Sequence, residues 1–357
     1  MKTPGRIILF TAFVITLFWS CSKNESNTDT SSLKESITSG SADLNKAMEA
    51  ITASPAYSIL TISDGTLKSS ESTTSDSIYR VYISLDQIKG NYDFHPVIKH
   101  DKWGIPLINY FIKTADDNQM VVHMPLVKIT SPKSLMHFSP SDSTLTNNFA
   151  IAVSQYHNNY NGYHDFDYLL ATEISIDNAS VGSLNIQSFK SPVSGIHYTS
   201  QYAFSGSYTA KYKYDSGDTT ASSFAIMSGD KILYQEELLT IKNDTARFGH
   251  EKQYSLTIGD VIIVKKASDA KAEVYLAGVL QSNAVITIMD KETDPEASVC
   301  KKRDIQITFD DGTSITVSTL IGSSVSDIKT LFQSLHQVYF AAYVVDWIAY
   351  DIYYKRN

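Results

Sequence analysis

Alternation of apolar and polar residues is the feature that most constrains this chain. In residues 196–214, Tyr198, Tyr202, Phe204, Tyr208, Tyr212 and Tyr214 all fall on even positions. Side chains on a strand point alternately to opposite faces, so these six rings line one face of a strand or hairpin. Gly206 marks the bend. The same period of two recurs in residues 78–85, 119–129, 148–155, 168–177, 183–190, 231–242, 254–265, 273–280 and 284–290. Residues 305–309 and 314–317 flank Asp310-Asp311-Gly312-Thr313, and an Asp-Gly between alternating runs is a hairpin signal. About a dozen strands joined by short polar turns predict a mainly β protein. Its antiparallel sheets are sandwich-like or form a half-barrel, without βαβ units.

Helical periodicity appears at two places. Leu44, Ala47, Met48 and Ile51 share one face of a short helix, with Ser41 as N-cap and Pro55 beyond its end. Near the C-terminus, residues 326–353 read as one long helix. Leu331, Leu335, Val338, Ala342, Val345, Ala349 and Ile352 run along it, and aromatic residues occupy its other faces. A helix apolar nearly all round is buried on several sides. It is expected to lie in the concave face of a curved sheet or between two sheets. Asp346 and Asp351 argue against a membrane span, because each would cost about 2.5–3.5 kcal/mol at mid-bilayer. Asp346 can reach Tyr343 and Tyr350 on its own helix.

The N-terminus gives an address. Lys2 and Arg6 precede an apolar run over residues 7–19. As a helix this run spans roughly 20 Å, short of the ~30 Å hydrocarbon core, and suits a signal peptide. It ends at Phe18-Trp19-Ser20-Cys21 and gives way to a polar stretch beginning Ser22-Lys23-Asn24-Glu25. This resembles the lipobox of bacterial lipoproteins of Bacteroidetes type. The resemblance implies that Cys21 receives the lipid and residues 1–20 are removed. Ser22 in place of Asp implies the outer membrane, as a periplasmic or surface-exposed protein. The implied partners are the lipoprotein maturation and sorting machinery and the membrane itself. Two or more acyl chains suffice for a stable anchor.

The expected organisation is a signal peptide over residues 1–20 and a flexible tether over 21–35. A β-rich body over 36–192 and a second over 193–357, ending in the long helix, follow. Residues 192–195 are the boundary if there are two bodies. With Cys21 lipidated, Cys300 has no intramolecular partner; it reads as a small buried hydrophobe or as a reactive thiol. Loss of Lys2 and Arg6 with the signal lowers the formal charge from −8 to −10. No long basic tract exists, so nucleic acid is not an expected partner.

No catalytic signature emerges. His250-Glu251 opens like a zinc-protease helix, but Tyr254 stands where the second His is required. There is no Gly-x-Ser-x-Gly elbow and no phosphate-binding Gly-Lys-Ser/Thr loop. Two stretches carry candidate chemistry, residues 95–103 and 156–168. In the second, Tyr156, His157, Tyr160, Tyr163, His164 and Asp165 combine aromatic rings with polar groups. They read as a sugar platform, a His/Asp metal site or a plain connecting loop. Asp165 and Asp167 are a poor glycosidase pair, since alternate strand residues face opposite ways. No cofactor or metal is expected. The composite expectation is a non-enzymatic envelope lipoprotein acting as a binding or scaffold module, with a glycan or another envelope protein as partner. A carrier of an apolar ligand in a curved sheet, or a polysaccharide-binding or -processing surface protein, is the alternative.

Overall fold

The structure is a computed structural model. It describes residues 32–61, 80–100, 106–129, 144–162, 164–191, 193–217, 219–246, 249–290, 303–336 and 340–356. The signal, Cys21, residues 22–31 of the expected tether and Cys300 lie outside the described residues. Leu33–Asn357 is one compact unit.

The chain opens with helices α1 (Leu33–Thr52) and α2 (Pro55–Leu60). Next come β1 (Val81–Ser84), a helical turn α3 (Leu85–Ile88), β2 (Gly90–His100), β3 (Pro106–Ala115), β4 (Met120–Met124) and a second turn α4 (Leu126–Ile129). A long series of strands follows: β5 (Phe149–Tyr160), β6 (Phe166–Ile176), β7 (Ala179–Ser191), β8 (Gly195–Phe204), β9 (Tyr208–Asp215), β10 (Thr219–Ser228), β11 (Lys231–Lys242), β12 (His250–Ile258), β13 (Val261–Lys266), β14 (Glu273–Leu276) and β15 (Val279–Leu280). The chain closes with β16 (Val285–Asp290), β17 (Arg303–Thr308), β18 (Ser314–Thr316) and three helices, α5 (Val317–Ile321), α6 (Ser324–His336) and α7 (Phe340–Arg356).

The fold is mainly β, as the alternation predicts. From β4 to β15 each strand pairs antiparallel with the next. β2 joins the β4 edge in parallel, β3 lies outside it, and β1 pairs with the far end of β5. β16, β17 and β18 form a separate three-stranded antiparallel sheet. The large sheet buries one face, and the helices cover it. α1 packs on β11, β12 and β13, α6 on β8 and β9, and α7 on β1 and α3. Even-numbered Tyr202, Phe204 and Tyr212 are buried there, with Tyr198, Tyr208 and Tyr214 packed against the same core. Each large apolar side chain buried in this way contributes about 1.5–3 kcal/mol. No described helix is long and apolar enough to cross a membrane.

Several local expectations change. α1 starts at Leu33, so the tether does not run to residue 35 and Ser41 is no N-cap. Ile37 extends the apolar face back by two turns, and Ser41 is buried on that face, donating its hydroxyl to the Leu320 carbonyl. Gly40 has a packing role: a Cβ there would lie 3.2 Å from the Ile258 carbonyl and 3.3 Å from the Gly259 Cα. The helix thus rests on the β12–β13 turn. Residues 254–265 are two strands, because Gly259 at φ +57° turns the chain back within an unbroken apolar pattern. Residues 273–280 divide in the same way at Ala277-Gly278. β2, β3 and β10 are strands where no strand was expected. The candidate stretch 95–103 belongs to β2 as far as His100, and 101–105 lie outside the described residues.

The long C-terminal helix is present as α6 and α7, with residues 337–339 between them outside the description. The expected boundary at 192–195 falls between two paired strands: β7 and β8 are in register from Gly182↔Phe204 to Ser191↔Gly195. The sheet runs through it, which is why Leu33 onward forms a single unit.

Candidate functional site

The stretch 156–168 is a hairpin rather than a loop platform. β5 carries a bulge at Ser154, where Val153↔Thr172 is followed directly by Gln155↔Ala171. A bulge shifts the side-chain alternation by one residue. Phe149, Ile151 and Val153 face the core before it, and Tyr156 and Asn158 face the core after it. Tyr156 and Tyr168 donate hydroxyl hydrogen bonds to Asp346 Oδ1 on α7, at 2.9 and 3.2 Å. Asn158 Nδ2 donates to the Tyr350 hydroxyl at 3.1 Å. Asp346 therefore takes its partners from β5 and β6, not from Tyr343 and Tyr350 on its own helix. Burial pushes the Asp346 carboxyl up to about 6, against the pull of the two phenol hydrogen bonds.

The other candidate residues of this stretch scatter. Tyr160 packs against the core, while His157 is half-exposed, with Asp167 Oδ2 3.1 Å from its Nε2 but off the line of a hydrogen bond. His164 and Asp165 are exposed at the hairpin tip, where Asp165 accepts from Asn161 Nδ2 at 2.9 Å. Tyr163 lies outside the described residues. Among the described residues, no three His, Cys, Asp or Glu side chains converge as metal ligands.

A cavity of about 470 Å³ lies elsewhere, between the sheet and the C-terminal helices. Its sheet wall is formed by Phe224 on β10, Tyr234 and Glu236 on β11, and Tyr254 and Leu256 on β12. Register places Phe224, Glu236 and Leu256 in one cross-strand row. Glu236 is therefore a charged residue set into an apolar row. The opposite walls come from Asp304 and Ile305 on β17, from α5, and from α6.

Local chemistry fixes these walls. Asp304 caps α5: its Oδ1 accepts the Ser318 N–H at 3.2 Å, and its other oxygen accepts the Ser318 hydroxyl. Thr316 adds a second cap through the Thr319 N–H, 3.2 Å away. Gly322, at φ +60°, ends α5, and α6 begins two residues later at Ser324. α6 buries Ile328, Leu331 and Leu335 and leaves Val325 and Phe332 partly exposed at the cavity. The Phe332 ring meets Phe224 and Tyr212 edge-on, at 5.6 and 5.7 Å between centroids. Tyr57 on α2 holds α6 in place by donating to Asp327 at 3.0 Å.

The polar groups of the cavity are few. Tyr234 donates its hydroxyl to Glu236 Oε1. Burial, and then the neighbouring Glu236, drive the Tyr234 and Tyr254 phenols well above their usual range. Both rings therefore stay neutral hydrogen-bond donors. Lys329 lines the cavity from α6. A largely apolar cleft, half open to solvent and carrying a few placed polar groups, fits the general form of a small-molecule site, and its volume lies within the usual ~300–1,000 Å³.

Comparison of the chain with protein-family models, curated proteins and solved structures finds no match in any of the three.

Proposed function

We propose that this protein is a non-enzymatic binding module of the bacterial cell envelope, and that it takes the apolar part of a ligand into the cavity between its sheet and α5–α6. The cavity carries the reading. Its walls include Phe224, Leu256, Ile305, Val317, Ile321, Ile328 and Phe332, and these apolar side chains outnumber the polar groups among them. The glycan reading of the 156–168 hairpin has less support, because Tyr156 and Tyr168 are engaged with Asp346 inside the protein.

The reading is tested by titrating N-phenyl-1-naphthylamine, a dye that brightens in apolar surroundings, into the chain from residue 22 onward. That form keeps the whole compact unit Leu33–Asn357. The expected result is saturable one-site binding, displaced by a single-chain amphiphile. Absence of saturable binding overturns the reading.

Attachment through lipid on Cys21 rests on the sequence of residues 1–25. Wild-type protein is expected in the membrane fraction and Cys21→Ala outside it. Equal partition of the two removes the anchor.

A further inference from the structure

The charges around the cavity point to the kind of head group its ligand carries. Glu236 and Lys329 both line it and both are exposed. Glu236 Oε1 takes the Tyr234 hydroxyl, which leaves Oε2 without a described partner. No described residue pairs with Lys329, and the two are not paired with each other. The third charged group, Asp304, is occupied by the Ser318 and Ile305 backbone N–H groups and the Ser318 hydroxyl. Tyr254 adds a neutral phenol on the Glu236 side. The site thus offers one open carboxylate and one open ammonium along a largely apolar cleft.

A single positive head group would meet Lys329 as a like charge, and a single negative one would meet Glu236. A head group carrying both signs satisfies both, with its ammonium toward Glu236 and its anionic group toward Lys329. Charges arranged in this way act mainly by discriminating between ligands, while the apolar walls supply affinity. We infer that the cavity is a site for a single-chain zwitterionic amphiphile. Its chain packs among Phe224, Leu256, Ile305 and Phe332, and its head lies between Glu236 and Lys329. This rests on the cavity being a ligand site, and it adds the class of ligand.

The test uses four dodecyl amphiphiles below their micelle concentrations: dodecyldimethylglycine, dodecyltrimethylammonium, dodecanoate and neutral dodecylglycerol. Each displaces the naphthylamine dye at low ionic strength, and affinities are read as ratios to the neutral compound. In the wild type the zwitterion is expected to exceed either singly charged compound by about tenfold, the equivalent of one good charge contact. Glu236→Gln is expected to move the ratio toward the anion, and Lys329→Gln toward the cation. Equal ratios for all four compounds in the wild type overturn the head-group inference and leave the cavity reading standing. Failure of dodecylglycerol itself to bind overturns both. A wild-type preference that survives both substitutions also overturns the inference, since these two residues would not be its source.

Discussion

Between pH 3 and pH 7.5 the stability of the wild type, measured relative to Asp346→Asn, is expected to fall by about 3 kcal/mol. The reason is the position of Asp346. Its carboxyl, on α7, is enclosed against β5 and β6, and burial raises it from the ordinary 3.8 to about 6. The folded state therefore holds the proton more tightly than the unfolded chain. For such an acid the stabilisation is complete below the unfolded value and is lost as pH rises through the folded one. A shift of about two units corresponds to roughly 3 kcal/mol. Other carboxyls run the opposite way: Asp311 is held down to about 2 by Thr313 and Lys34, and Asp215 is lowered by Lys213 and His197. The absolute pH profile thus mixes both signs, and the difference from Asp346→Asn isolates the buried group. Asn keeps the shape and an acceptor for Tyr156 and Tyr168. Urea unfolding at several pH values supplies the measurement. A wild-type minus variant difference that stays flat across this window would show that Asp346 is not enclosed as described.

Gly195→Ala is expected to cost about 3 kcal/mol or more, far beyond Gly229→Ala. Both glycines have positive φ, +74° and +55°. That conformation alone costs an L-residue about 1–2 kcal/mol. At Gly229 nothing lies within 4 Å of an added Cβ, so the backbone term stands alone. At Gly195 the Cβ would fall 1.8 Å from the Ser216 carbonyl oxygen. The β7–β8 and β9–β10 turns are clamped there: Ser216 N–H donates to the Ile196 carbonyl at 2.8 Å, and Ile196 N–H to Ser216 Oγ at 3.0 Å. Making room displaces that clamp and both hydrogen bonds, each worth about 0.5–1.5 kcal/mol. Equal unfolding midpoints for the two variants would contradict the clamp.

The strands were legible because burial on one face writes a period of two into the chain. The row from Tyr198 to Tyr214 is the clearest case, and its rings do share the core face. What escaped depended on events that leave no local trace. The Ser154 bulge changes which residues of β5 face inward, so Tyr156 could not be placed from its spacing. The partners of Asp346 lie 178 and 190 residues away in sequence, whereas reading along the helix finds only Tyr343 and Tyr350. The turn at Gly259 sits inside an alternation that continues on both sides, so two strands read as one. Glu236 did carry a signal. It shares parity with Tyr234 and Leu238, and a charge in such a row breaks the pattern of a buried face. Recognising it required knowing that Phe224 and Leu256 flank it across the sheet.

The central claim is that the space between β10–β12 and α5–α6 is where the ligand sits. Filling that space tests it most directly. Ile305 lines the cavity and is only partly buried, so Ile305→Trp places a ring into empty volume rather than into packed atoms. A second plug, Val325→Trp, comes from the opposite wall. Thermal unfolding confirms that each variant is folded before the naphthylamine dye is titrated. Loss of at least about 1.4 kcal/mol of binding, a tenfold weaker affinity, is predicted for the plugged protein. A folded Ile305→Trp that binds the dye as the wild type does would contradict the account.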